Sequence, residues 1–109
     1  MKKGHAYGMH RVLSPVGVLP QPADVICNSM EIYDNEILID VQTLNIDSAS
    51  FTQIYNQAKG NVEEIKGIIL NIVSKSGKMK NPITGSGGML IGTIEAIGSA
   101  LEGKTNLKV

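Results

Sequence analysis

The stretch "NPITGSGGMLIGTIEAIG", residues 81–98, holds five of the chain's 12 glycines. Clustered glycines let a backbone approach an anionic ligand closely, so the first chemistry to test is phosphate binding. A dinucleotide loop needs glycine in its first, third and sixth places, after a strand and before a helix. Counting from Gly85, the sixth place is Leu90, and the lysine of a phosphate loop is absent. The segment before it, "KSGKMKNP", is polar and ends in proline, unlike a buried strand. Metal-binding residue types are few. Cys27 is the only cysteine, so it forms no internal disulfide and reads as a small buried thiol. His5 and His10 are the only histidines, and both read as surface or hydrogen-bonded side chains.

Helix or strand is the next question for the glycine stretch. Leu90, Ile94, Ile97 and Leu101 have helical spacing, yet Met89 to Ile97 also alternates as a strand. Gly92 and Gly98 would each cost a helix about 1 kcal/mol relative to alanine. In a strand they permit a bend or a close backbone approach. The glycines favour a strand over Met89–Ile97.

Other elements are clearer. "NEILIDVQTLNI" follows an Asp34-Asn35 turn signal and alternates, with Ile37, Ile39 and Val41 on one side, which predicts a strand. "DSASFTQIYNQAKG" opens on N-cap residues and closes on glycine, with Phe51, Ile54, Tyr55 and Ala58 at helical spacing. Asn61 with Glu64 resembles a capping box, and Val62, Ile65, Ile68, Ile69, Ile72 and Val73 form an apolar stripe up to Gly77. That stripe predicts the best helix of the chain, with its isoleucines in a core. "RVLSPVGVLPQPADVI" carries Pro15, Pro20 and Pro22 and predicts extended segments and turns.

The totals fit one small domain of 109 residues. Ten basic residues balance ten acidic ones, so no field draws the chain to nucleic acid or an anionic membrane. Four aromatic residues supply no stacking platform for bases. No apolar run has the length of a membrane span, and no signal-peptide pattern follows the basic N-terminus. A reduced cytoplasmic setting is the expectation.

The motifs resemble a known family. "NEILIDVQTLNIDSASF" is similar to the early strand and loop of medium-chain dehydrogenases. "NPITGSGGMLIGTIEAIG" is similar to their proline, glycine-rich turn and following strand, with Gly87, Gly92, Ile94 and Gly98 in register. "YGMHRVLSPVGVLPQPA" adds a likeness to the amine-oxidising members that act on 3,5-diaminohexanoate in lysine fermentation. The resemblance implies an α+β, β-rich fold: a partial GroES-like β-barrel with one or two helices, spanning residues 1–109 and truncated. It implies NAD or NADP bound mainly by a dinucleotide-binding domain outside these residues, a homo-oligomer, and no chain activity alone. Zinc-dependent relatives place a cysteine where this chain has Asp47, and His and Glu where it has Gly88 and Met89. Neither glycine nor a thioether serves zinc, so no zinc is expected.

The implied reaction removes hydride from the carbon bearing the 3-amino group and hydrolyses the imine to 5-amino-3-oxohexanoate and ammonia. A base must first deprotonate the amine, because an ammonium has no lone pair to drive hydride loss. On the resemblance, Asp47 is the candidate catalytic residue, as base or ammonium partner. Ser48, Ser50, Gly87 and Gly88 are the candidate substrate-binding residues. Tyr7 and Tyr33 are polar groups that no spacing ties to the site. A plainer alternative has Asp47 or Ser48 capping the helix and the glycines forming an ordinary turn. Two rival readings of the whole chain stand beside the enzyme: a non-catalytic barrel-like interaction module, and a small ligand-binding protein.

Overall fold

Alternating apolar residues and a turn at Asp34-Asn35 start one of the two long strands, and glycines mark its partner. The computed structural model describes residues 1–109, in which these two segments form a two-stranded antiparallel ribbon. Its first strand runs Ile37–Ile46 and its second Gly88–Ile97. A smaller antiparallel pair, Val12–Ser14 with Val25–Ile26, precedes it. In chain order the strands are β1 (Val12–Ser14), β2 (Val25–Ile26), β3 (Ile37–Ile46) and β4 (Gly88–Ile97). Two helices lie between β3 and β4: α1, Ser48–Gln57, and α2, Val62–Ser76. The architecture is mixed α+β and consistent with a partial barrel-like domain.

The glycine stretch is strand, with no helix through Gly92. The physical reason lies in the ladder. In β3–β4, Val41 pairs with Gly92 and Ile46 with Gly88, and a Cβ at Gly92 would collide with the Asp40 carbonyl. Close backbone approach, not phosphate binding, accounts for these glycines.

Both helices start and stop where their capping residues stand. The Asp47 carboxylate accepts the Ser50 N–H at 2.8 Å, and Asn61 Oδ1 accepts the Glu64 N–H at 3.0 Å. The Asn61 box is half-formed, since the Asn61 N–H donates to the Ala58 carbonyl at 3.0 Å instead. Gly77 ends α2 at φ 75°, a left-handed conformation suited to glycine. Ile54, Ala58, Ile65 and Ile72 form the buried core, with Ile68, Ile69 and Met79 packed against it. Phe51, Tyr55 and Val62, which share the apolar spacing, are exposed. Cys27, expected as a buried thiol, is half-exposed, because it follows β2 at the mouth of a surface recess.

Only 8 of 109 residues are buried, and four of them form the one small helical core. The shape is correspondingly drawn out, 49 × 30 × 19 Å, with a radius of gyration of 15.6 Å. A compact domain of this length has about 13 Å.

Candidate functional site

Asp47 sits at the junction of β3 and α1. Its extended backbone, φ −64° and ψ 159°, turns the chain from strand into helix. Its Oδ1 caps the helix, and its carbonyl accepts the Phe51 N–H at 2.9 Å. Its N–H donates to the Gly87 carbonyl at 3.0 Å, which docks the glycine turn onto the same junction. The sequence candidates Asp47, Gly87 and Gly88 therefore meet at one end of the ribbon. Ser48 is exposed on the first turn of α1. Ser50 is fully buried beneath it, with a hydroxyl that has no partner within the chain. Capping engages one oxygen of Asp47; a carboxylate has a second with which to accept a ligand N–H.

The glycine turn owes its shape to Asn81, a residue that sequence reasoning did not single out. Asn81 is fully buried. Its Oδ1 accepts the N–H groups of Ile83 at 2.9 Å and Thr84 at 3.2 Å. Its Nδ2 donates to Gln53 Oε1 at 2.8 Å and to the Ser50 carbonyl at 3.5 Å. Its backbone closes the turn through Ser86 and Gly85, both at 2.8 Å. One side chain thus couples α1 to the glycine turn. The signal was available: asparagine before proline at a turn, where its amide can bond the backbone two residues on.

On the outer side of the turn lie two lysines. Lys78 Nζ donates to the carbonyls of Pro20 and Gln21, both at 2.6 Å. Lys80 Nζ donates to the Pro22 carbonyl at 2.8 Å and pairs with Asp24 at 3.0 Å. Together they hold the proline-rich segment against the turn. Burial lowers the Lys78 pKa from its ordinary value, and repulsion from Lys80 adds to this.

A second polar cluster lies near the ribbon's other end. Glu36 receives Arg11 through both carboxylate oxygens, at 2.6 and 2.7 Å, and His10 Nε2 lies 3.0 Å away. Hydrogen bonding from Arg11 brings the Glu36 pKa down to about 2, against a partial opposition from burial. Arg11 stacks over Tyr33, 5.1 Å from its centroid, and reaches Cys27 Sγ at 3.7 Å. A hydrogen bond with the Ser29 backbone, helped by Arg11, lowers the Cys27 pKa. His10 thus takes its expected hydrogen-bonded place, while His5 is exposed.

Residues 10–109 match the family described as the L-erythro-3,5-diaminohexanoate dehydrogenase N-terminal domain. The chain belongs to that family. It is 66% identical over 109 residues to the L-erythro-3,5-diaminohexanoate dehydrogenase of Fusobacterium nucleatum, covering all of this chain and 32% of that protein. The enzyme of the same name from Acetoanaerobium sticklandii is 64% identical over 107 residues, 98% of this chain and 31% of its own length. The chain therefore spans about a third of the length of these curated relatives.

The glycine turn at residues 85–88 leads into β4 and not into a helix. A Cβ at Gly87 would strike the Met79 carbonyl, and one at Gly88 the Asn45 carbonyl, so neither position admits a side chain. Gly85, at φ 73°, faces open space but opens no helix. No three His, Cys, Asp or Glu side chains converge as a metal site. No helix is long and apolar enough to cross a membrane.

Proposed function

We propose that these residues form the substrate side of an NAD(P)-dependent amine dehydrogenase that oxidatively deaminates 3,5-diaminohexanoate to 5-amino-3-oxohexanoate and ammonia. The dinucleotide is held by a domain outside these residues, in a homo-oligomer. Hydride passes from the amine-bearing carbon to the nicotinamide, and water then cleaves the imine. This chain's part is to receive the 3-ammonium at Asp47 and take its proton, freeing the lone pair that drives hydride loss. The free oxygen of Asp47 accepts the ammonium, while the helix cap fixes the carboxylate's direction. The glycine turn, docked through Gly87, lets the substrate's carbon chain lie close to the backbone.

The observation that carries this reading is the meeting of Asp47 with Gly87 in a chain whose family is diaminohexanoate dehydrogenase. Asp47→Asn in the full-length protein tests it, because asparagine caps a helix as well as aspartate. Melting should change little, and turnover should fall roughly 100-fold or more, the scale of general-base catalysis. Undiminished turnover at unchanged stability would reduce Asp47 to a helix cap.

A further inference from the structure

Beside the glycine turn is a recess of about 280 Å³ lined by Gln21, Lys78, Met79, Lys80 and residues 85–88. Its charge is not balanced. Lys80 has Asp24 as counter-ion, 3.0 Å away, whereas Lys78 hydrogen-bonds only two neutral carbonyls and feels the Asp24 charge without a direct bond to it. Those carbonyls use two of the three donors of its ammonium and leave one. Gly87, half-buried in the same wall, donates its N–H to no acceptor within the chain. An ammonium held rigidly by its own backbone, with a spare donor and a neighbouring free N–H, suits a carboxylate or similar oxyanion. The desolvation that lowers the Lys78 pKa points the same way, since an anion in the recess would offset it.

We infer that the recess between Lys78 and Gly87 binds the carboxylate of a 3-amino acid, with Lys78 as its charged partner. The inference rests on the proposed function and sharpens its specificity. Gly87 joins the two halves of the site: it lines the recess and its carbonyl holds Asp47. A ligand with its carboxylate at Lys78 and its amine at Asp47 bridges the two sides of that one residue. Needing both contacts favours an amino carboxylate over a simple amine. Lys80 serves as a positioning residue, keeping the segment around Pro22 in place and adding positive potential.

The experiment compares 3,5-diaminohexanoate with its carboxamide, which keeps both amines and loses the charge, by calorimetric binding and by turnover in the full-length protein. Wild type should bind the acid roughly 10- to 100-fold more tightly than the amide, the scale of a charge-assisted hydrogen bond. Lys78→Met should abolish that ratio by weakening the acid alone, and Lys78→Arg should keep most of it. A lysine that merely straps the proline-rich segment would weaken both ligands equally in Lys78→Met, which overturns the inference. An acid-to-amide ratio that depends on Lys78 without any turnover would sustain the carboxylate site and sink the dehydrogenase reading. Turnover with an unaltered ratio in Lys78→Met would do the reverse. Wild-type protein that binds neither ligand would overturn both.

Discussion

In α1 and α2 the apolar spacing ends in burial: Ile54, Ala58, Ile65 and Ile72 close on one another, between 0 and 8% exposed. In the β3–β4 ribbon the same kinds of side chain face water. Ile39, Val41, Leu44, Met89, Leu90 and Ile91 are exposed, on both faces of the ribbon. The ribbon is ordered by its ladder and by polar anchors at each end. Asp47 and Gly87 hold one end; the Gly98 N–H donates to the Glu36 carbonyl at 2.8 Å near the other. A hydrogen bond adds only about 1 kcal/mol net, and a lone two-stranded ribbon is marginal in water. The helices thus supply the stability, and the ribbon supplies the frame for the candidate site. Apolar residues on both faces of a strand suit a sheet that is covered on both sides.

The sharpest test of this division removes the helical core. Ile54 is fully buried, so Ile54→Ala should cost about 2–5 kcal/mol, read as a lowered urea midpoint. A loss below about 1 kcal/mol would mean that stability resides elsewhere, in the ribbon after all.

Next in size is the polar anchor. Glu36, 20% exposed at its side chain, has a folded pKa of about 2 against an ordinary 4.5. A lowered carboxylate pKa stabilises the fold above the unfolded value and loses that contribution as pH falls through the folded one. The amount is on the order of 3 kcal/mol, lost between pH 4.5 and about 2. Glu36→Gln should lose a similar amount at neutral pH by leaving the Arg11 guanidinium unpaired. The gap between variant and wild type should then close as the solution is acidified across that window. A gap that stays constant down to pH of about 2 would show that the loss does not come from the ionised pair, and no gap at neutral pH would show the pair to be dispensable.

Glycines divide along the same line. A Cβ at Gly88 meets the Asn45 carbonyl and the Ile46 Cα across the ribbon, so Gly88→Ala should cost about 1–3 kcal/mol. A Cβ at Gly67, inside α2, would meet nothing within 4 Å, so Gly67→Ala should add about 0.5–1 kcal/mol. Thermal melts of the two variants should move in opposite directions.

The same residues mark the boundary of what the sequence discloses. Capping residues and period located both helices and both long strands, because caps and glycine conformations are local and short-range. The buried half of each helix was not legible. Phe51 and Ile54 obey the same spacing, yet only Ile54 finds a neighbour to cover it. Asp47 was found through resemblance, and its cap through local chemistry. The Asn81–Gln53 bond, Lys78 and the Arg11–Glu36 pair escaped, since those partners lie 25 or more residues apart and no spacing encodes them, whereas the turn-forming role of Asn81 had a local signal.

The smallest effect tests the exposed side of the comparison. Ile91 is 69% exposed and faces Thr43 across the ribbon. A side chain already in water has little to lose, so Ile91→Ser in this chain should change stability by no more than about 0.5 kcal/mol. Its effect should appear in association instead. Both outer edges of the ribbon are unpaired, and apolar residues beside an open edge promote strand-to-strand contact. Sedimentation of the wild-type chain should show self-association that rises with concentration, and Ile91→Ser should reduce it. Within a longer protein that covers the ribbon, as the proposed function has it, the same substitution should cost more than about 1 kcal/mol, because full burial of an isoleucine is worth about 1.5–3 kcal/mol. A large loss in this chain would show that Ile91 is already packed, and the contrast between helices and ribbon would then fail.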